Sequence, residues 1–299
     1  MYINSVTKSK IRVLIALLLT ILAVIIAVFS LAGEDGSSLD ITSGDDYIRF
    51  LDVGQGDSIL ISSNGKHMLI DTGLSMGSDK LCSKLRGYGV KNLEVMLLTH
   101  FHNDHAGGAE AVANRFKIQN LIYPDMKMSD QVDSAAVNAK QTVLAEEGDF
   151  FVAKSNMNIE LGDFKITLIA YFPELDDENN RSIIIMAELG SSSFLLMSDA
   201  ESEAEKKLLS DEINLKCDVL KIGHHGSSSS TSEKLLKSAS PKIAVISCGT
   251  GNAYAHPHEQ TLKCLEEEKI DVYRTDLNGD ITFSVAFNNI EIECEKPYE

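Results

Sequence analysis

Three histidines and an aspartate share one hexapeptide, His100-Phe101-His102-Asn103-Asp104-His105, directly after the apolar run Val95-Met96-Leu97-Leu98-Thr99. A short continuous apolar run reads as a buried strand of a layered fold. Its end, followed by Gly107-Gly108, is a place where side chains converge on a cleft with no local core to fill. Several polar rings gathered there lack partners unless a metal ion supplies one, so the hexapeptide points to a metal centre at a strand end.

The rest of the chain has to supply the layers. Its 299 residues, 44% hydrophobic and 24% charged, are enough for one large or two small domains with real cores, which excludes a miniprotein and a disordered chain. With 27 Lys and Arg against 44 Asp and Glu the formal net charge is −17, which argues against non-specific binding of nucleic acid through charge alone. The five cysteines show no CxxC spacing and read as small buried hydrophobes, not as a disulfide framework or zinc finger.

From Val13 to Ala32 the only polar residues are Thr20 and Ser30, and twenty helical residues span a bilayer core of ~30 Å. Lys8, Lys10 and Arg12 precede this run, whereas Glu34, Asp35, Asp40, Asp45 and Asp46 follow it before Arg49. The bias predicts a cytoplasmic segment 1–12, a transmembrane helix 13–32, a Gly, Ser and Asp-rich linker 33–46 and an extracytoplasmic domain 47–299. The alternative is secretion after cleavage behind Ser30-Leu31-Ala32.

Within the domain, Tyr47 to Val53, Ser58 to Ser62 and His67 to Asp71 predict an antiparallel meander, with Ser-Asn-Gly-Lys at one turn. Helices are expected at Ser78 to Tyr88, Ala109 to Phe116, Gln131 to Glu147, Ala200 to Ser210, Ser232 to Ser238 and Glu259 to Glu267. Strands are expected at Leu93 to Thr99, Asn120 to Tyr123, Asn158 to Leu161, Phe164 to Ile169, Ser182 to Leu189, Phe194 to Ser198, Val219 to Ile222, Lys242 to Ser247 and Val272 to Arg274. A final hairpin is expected to turn at Leu277-Asn278-Gly279-Asp280. Two β-rich halves with helices predict two sheets between helical layers.

His-x-His-x-Asp-His after a buried strand resembles the signature of the metallo-β-lactamase fold, an α/β αββα sandwich. Five further blocks resemble, in order, the subgroup found at the C-terminus of ComEC competence proteins: Phe50 to Ser58, Leu69 to Gly73, Leu196 to Asp199, Leu220 to Ser227 and Tyr254 to His258. One predicted span where those channels have many is the departure. The resemblance implies one metal on His100 and His102, a second on Asp104 and His105, and Asp199 bridging them. From the pair His224-His225 it implies one ligand, here His225, with His224 facing substrate. Asp71 either orients a ligand histidine or caps the turn at Thr72-Gly73. No histidine lies between His105 and His224, where relatives place a third ligand for the first metal. Asn180, in the turn before a strand, is the nearest counterpart, and an oxygen donor there favours Mn²⁺ more than a three-imidazole site does.

Two divalent cations, Zn²⁺ first and Mn²⁺ as the alternative, make hydroxide available at neutral pH and so imply hydrolysis. The serine loop from Gly226, including Ser227, is expected to offer N–H groups and hydroxyls to an anion, and Asp104 or His256 to protonate the leaving group. The resemblance points to a phosphodiester substrate, in nucleic acid or a cell-wall polymer. A β-lactam or other carbonyl substrate, and a non-catalytic metal-stabilised envelope protein, are the other readings.

Overall fold

Turn chemistry sets the opening of the domain. Tyr47–Phe50 (β1), Ile59–Ser63 (β2) and Lys66–Ile70 (β3) pair antiparallel in succession. Asn64 and Gly65 between β2 and β3 both have positive φ (51° and 74°), the two-residue turn that matches the twist of a hairpin. This computed structural model describes residues 46–125, 134–211, 213–286 and 289–297.

Beyond β3 the strands run parallel, because each is followed by a helix that carries the chain back across the sheet. Asn92–Leu97 (β4), Lys117–Tyr123 (β5) and Asp149–Val152 (β6) extend the first sheet, with helices Ser78–Gly87, Ala109–Ala113 and Ser134–Ala145 between them. The second sheet begins with an antiparallel set, Met157–Leu161 (β7), Phe164–Ala170 (β8), Ile184–Leu189 (β9) and Ser192–Leu196 (β10). It continues in parallel with Val219–Lys221 (β11), Ile243–Ile246 (β12) and Asp271–Arg274 (β13), separated by helices Ser202–Ser210, Glu233–Ala239 and Glu259–Glu267. Ile281–Ala286 (β14) and Asn289–Cys294 (β15) return to the first sheet, giving orders β15-β14-β1-β2-β3-β4-β5-β6 and β13-β12-β11-β10-β9-β8-β7.

Period-two alternation sends each strand's side chains to two cores. Ile48, Phe50, Ile61, Phe164, Phe194 and Val219 fill the space between the sheets. Leu195, Leu220 and Ala244 face the other way and meet Ala204, Leu208, Leu235 and Leu265 of the helices. The expected αββα layering is therefore present. Four strand ends define one place in it. β3 with β4, and β10 with β11, are parallel pairs whose carboxyl ends lead into Asp71, the hexapeptide, Asp199 and the His224-His225 pair.

Some expectations need correction. The last hairpin does not turn at Leu277 to Asp280: Thr275–Asn278 is a helical turn, and Gly279, at φ 67°, ends it and passes the chain to the other sheet. β14 and β15 instead pair antiparallel, with Ala286 opposite Asn289. β6 was not anticipated, since it is a four-residue edge strand with Phe151 and Val152 exposed and shows no buried alternation. All five cysteines are free, three buried and two half-buried. The segments 1–12, 13–32 and most of 33–46 lie outside the described residues, and among the described residues no helix is long and apolar enough to cross a membrane.

Candidate metal centre

The hexapeptide leaves the end of β4 and turns at once into the short helix Asn103–Ala106. The Gly54 to Ser58 block is what shapes that turn. Asp57 N–H donates to the Asp104 carbonyl at 3.1 Å, and a Cβ on Gly56 would stand 2.2 Å from the same oxygen, so only glycine lets the two loops approach.

Around this turn the donor atoms converge. His105 Nε2 is 3.2 Å from Asp199 Oδ2 and 3.4 Å from His225 Nε2. His225 Nε2 is 3.3 Å from Asp104 Oδ2 and 3.5 Å from Asp199 Oδ2. Donors bound tetrahedrally at ~2.0–2.2 Å from one ion sit roughly 3.3–3.6 Å apart, so His105, Asp199 and His225, mutually 3.2–3.5 Å apart, have the dimensions of a divalent-cation site.

The far nitrogens fix the ring orientation. His105 Nδ1 meets Asp71 Oδ2 at 2.8 Å, and Asp71 is itself held by the Thr99 N–H at 2.8 Å and hydroxyl at 2.7 Å. His225 Nδ1 donates to the Ser247 carbonyl at 2.9 Å. Both rings therefore turn an Nε2 lone pair inward. His224 and His225 adopt left-handed φ of 45° and 54° in succession, a strained backbone that aims adjacent rings at one cleft.

Beside this set lies a second group. His100 is buried, and among the described residues its Nε2 has no hydrogen-bond partner; that nitrogen is 3.9 Å from Asp199 Oδ2. Asp199 Oδ1 is likewise buried without a partner among the described residues. The His102 ring stands 4.8 Å from that of His100, centre to centre. Orphaned buried donors are costly in a dry protein and are what a cation satisfies.

Residues 51–250 match the metallo-beta-lactamase superfamily. The chain belongs to that superfamily. It is 33% identical over 264 residues to ComE operon protein 3 of Bacillus subtilis (strain 168), covering 81% of this chain and 33% of the relative. It is 32% identical over 248 residues to Recombination protein 2 of Haemophilus influenzae, covering 81% and 29%, and 28% identical over 250 residues to Competence protein ComA of Neisseria gonorrhoeae, covering 83% and 33%. The chain thus spans about a third of the length of these relatives. Among solved structures, CmlA, a diiron beta-hydroxylase from Streptomyces venezuelae, shares the fold at 13% identity and a TM-score of 0.55, over 82% of this chain and 55% of CmlA. Igni18, a metallo hydrolase from Ignicoccus hospitalis, shares it at 14% identity and a TM-score of 0.51, over 80% of this chain and 100% of Igni18. Among the described residues of this superfamily member, buried Asp57, His105, Asp199 and His225 each offer a donor atom within 4.8 Å of the others, a His/Asp cluster that fits a divalent metal.

The structure brings His100, His102, Asp104, His105, Asp199 and His225 to one cleft. Asp71 stands behind His105, and His224 beside it turns Nε2 to within 3.8 Å of Asp199 Oδ2 while Glu201 Oε1 holds its Nδ1 at 2.7 Å. Asn180 does not join them. Its Oδ1 accepts the N–H groups of Glu201 (3.2 Å) and Ala204 (3.0 Å), closing the start of helix Ser202–Ser210, so neither the ligand nor the substrate role expected for it fits.

The serine loop is a brace and not an anion cradle. The N–H groups of Ser227, Ser228, Ser229 and Ser230 donate to His224 O, His258 Nδ1, Ser227 Oγ and Ser227 O, and those of Thr231 and Ser232 to the buried carboxylate of Glu205. The Ser227 hydroxyl is engaged with that of Ser229.

Both expected proton donors are shifted away from holding a proton. Burial pushes Asp104 up, but the hydrogen bond from His225 and the charge of His105 outweigh it and hold the carboxyl below its usual range. His256, whose ring lies 5.4 Å from that of His224, is brought down to about 4 by burial and by its histidine neighbours.

Three acidic residues that sequence reading passed over complete the site. Asp57 is buried, 2.8 Å from Lys221 Nζ through Oδ2 and 3.5 Å from His225 Nδ1 through Oδ1, so it meets the His225 ring on the side away from Nε2. Glu201 holds His224, and Glu178 Oε2 lies 3.6 Å from His102 Nε2. The Gly-Gln-Gly-Asp spacing signals only a turn at Asp57, and nothing local marks the two glutamates.

These charges predict opposite pH trends for the stripped and loaded protein. Burial lowers His225, yet Asp199 and the bonds to Asp104 and Asp57 raise it to about 9, and Asp199 with Asp71 raises His105 well above its usual value against burial. A raised histidine contributes stability in full below its unfolded value of ~6.5 and loses it as pH climbs through the folded value. Asp199 is held well below its usual range because the charges of His105 and His225 outweigh burial, and its contribution is lost only as pH falls below ~4. Above about pH 6.5, where the lowered His100 and His256 are neutral in both folded and unfolded chains, the metal-free protein is therefore expected to lose melting temperature towards pH 9. Cation uptake displaces those histidine protons and strengthens over the same rise. Thermal melts with and without chelator should diverge from pH 6 to pH 9; parallel curves would contradict the charge assignment.

Proposed function

We propose that the chain is a membrane-tethered, extracytoplasmic metal-dependent phosphodiesterase with two divalent cations, Zn²⁺ first and Mn²⁺ as the alternative, acting on nucleic acid or a cell-wall polymer. One observation carries the reading: His105, Asp199 and His225 present donor atoms 3.2–3.5 Å from one another, with Asp104 Oδ2 3.3 Å from His225 Nε2, beside the partnerless Nε2 of His100. The phosphodiester part is supported by likeness over about four fifths of the chain to proteins named for competence and recombination. The tether is the apolar run Val13 to Ala32 with its basic-before, acidic-after flanks.

When bound, the cations supply a nucleophile from water and offset charge on the electrophile. The chain's own residues orient and hold. Asp71 and the Ser247 carbonyl keep His105 and His225 facing inward, and Glu201 fixes His224 with Nε2 turned to the cleft, where it meets a substrate oxygen. His256, kept neutral, lines the same side.

The test is hydrolysis of bis(p-nitrophenyl) phosphate by the full chain in detergent, loaded with Zn²⁺ or Mn²⁺, beside a chromogenic cephalosporin. Chelator-sensitive release of nitrophenol with the cephalosporin spared is expected. Cleavage of the cephalosporin alone would make the chain a carbonyl hydrolase. Inactivity on both with two cations bound would favour a binding role.

A further inference from the structure

The first metal position, on His100 and His102, is short of a donor. No histidine lies between His105 and His224, and Asn180 is spent on the start of a helix. Yet His100 is 1% exposed with its Nε2 lacking any partner among the described residues, which calls for a ligand at that point.

Glu178 stands one residue ahead of the turn that carries Asn180. Its Oε1 accepts the N–H of Phe101 at 3.0 Å, between the two ligand histidines, and this contact ties the carboxylate to the hexapeptide. Its Oε2 then lies 3.6 Å from His102 Nε2. That separation is too long for an N–H···O hydrogen bond. It matches the spacing of ~3.3–3.6 Å between two donors on one cation. A carboxylate that merely steadied His102 as a ligand through Nε2 would sit at the opposite ring nitrogen, as Asp71 does for His105.

We infer that Glu178 Oε2 replaces the third imidazole of the first metal position. Each cation then has two imidazoles and two carboxylates: His100, His102, Glu178 and Asp199 for the first, His105, His225, Asp104 and Asp199 for the second. Exchanging nitrogen for a hard oxygen donor shifts the first position from Zn²⁺ towards Mn²⁺. The inference rests on the two-cation part of the proposed function and is independent of the substrate.

The test uses the metal-free full chain in detergent, titrated with Mn²⁺ while free ion is followed by electron paramagnetic resonance, and with Zn²⁺ by elemental analysis after gel filtration. Wild type is expected to take two Mn²⁺. Glu178→Gln, which still accepts from Phe101, should keep one ion at unchanged affinity and bind the other at least ~10-fold more weakly, on the scale of losing a metal-site partner. Glu178→His should keep two Zn²⁺ and move the preference of one position towards zinc by at least ~10-fold. Melts of the metal-free variants verify folding. Two Mn²⁺ at wild-type affinity in Glu178→Gln overturns the assignment of Glu178 alone. Fewer than two ions in wild type overturns it together with the two-cation reading, whatever the phosphodiester assay gives.

Discussion

Asp199→Ala should remove both cations and all metal-dependent hydrolysis, whereas His102→Ala should remove one cation. Asp199 Oδ2 is the atom around which the site is arranged: His105, His225, His224 and His100 approach it at 3.2, 3.5, 3.8 and 3.9 Å. Its Oδ1 has no protein partner among the described residues. One carboxylate thereby has an oxygen to offer each of two ions and cancels part of their charge. His102 stands at the rim, its side chain 43% exposed, and reaches only the first position. Loss of an outer partner costs roughly 10–100-fold in metal affinity, so loss of the shared ligand should exceed ~100-fold for each ion. The metal-free variant should still fold, because His105 keeps its contact with Asp71 and His225 its hydrogen bond to the Ser247 carbonyl. Elemental analysis of both variants decides the point, and two ions retained by Asp199→Ala would end the bridging role.

Legibility followed distance along the chain. That the hexapeptide, Asp199 and the His224-His225 pair converge on one cleft could be read because each follows an apolar strand, and strand ends are where clefts form in an α/β sandwich. Asp57 could not, because its ammonium partner is Lys221, and a turn motif says nothing about what it packs against. Glu178 contacts a backbone amide 77 positions earlier. The turn position of Asn180 suggests the metal, but its amide oxygen caps a helix that starts more than twenty residues later. Asn278-Gly279 shows the limit of local chemistry most plainly. The same residue pair that favours a hairpin also ends a helical turn, and the competing pairing of β14 with β1 in the first sheet decides between them.

Lys221→Met should be the most destabilising change outside the ligands. Val219 and Lys221 share one face of β11, and Val219 belongs to the core between the sheets, so the ammonium is delivered to the end of that core. It is fully buried, donates to the Ile222 carbonyl at 2.9 Å and meets Asp57 Oδ2 at 2.8 Å. Burial alone would push Asp57 up, and the Lys221 charge is the largest of the effects holding it below its usual range. Removing the lysine leaves a carboxylate in a dry site, a loss that typically costs ~3–5 kcal/mol. Replacing both partners by well-packed neutral groups is often close to neutral, so Asp57→Asn with Lys221→Met should be less destabilised than Lys221→Met alone. Denaturant unfolding of the metal-free chains measures this, and a midpoint for Lys221→Met equal to wild type would refute it. The second cation should bind this variant within ~10-fold of wild type, because the Ser247 carbonyl still holds His225 Nδ1 at 2.9 Å when the Asp57 contact at 3.5 Å is weakened. A lysine serving only the fold and an aspartate serving both fold and ligand are thereby separable: Asp57→Asn alone should weaken metal binding more than Lys221→Met does.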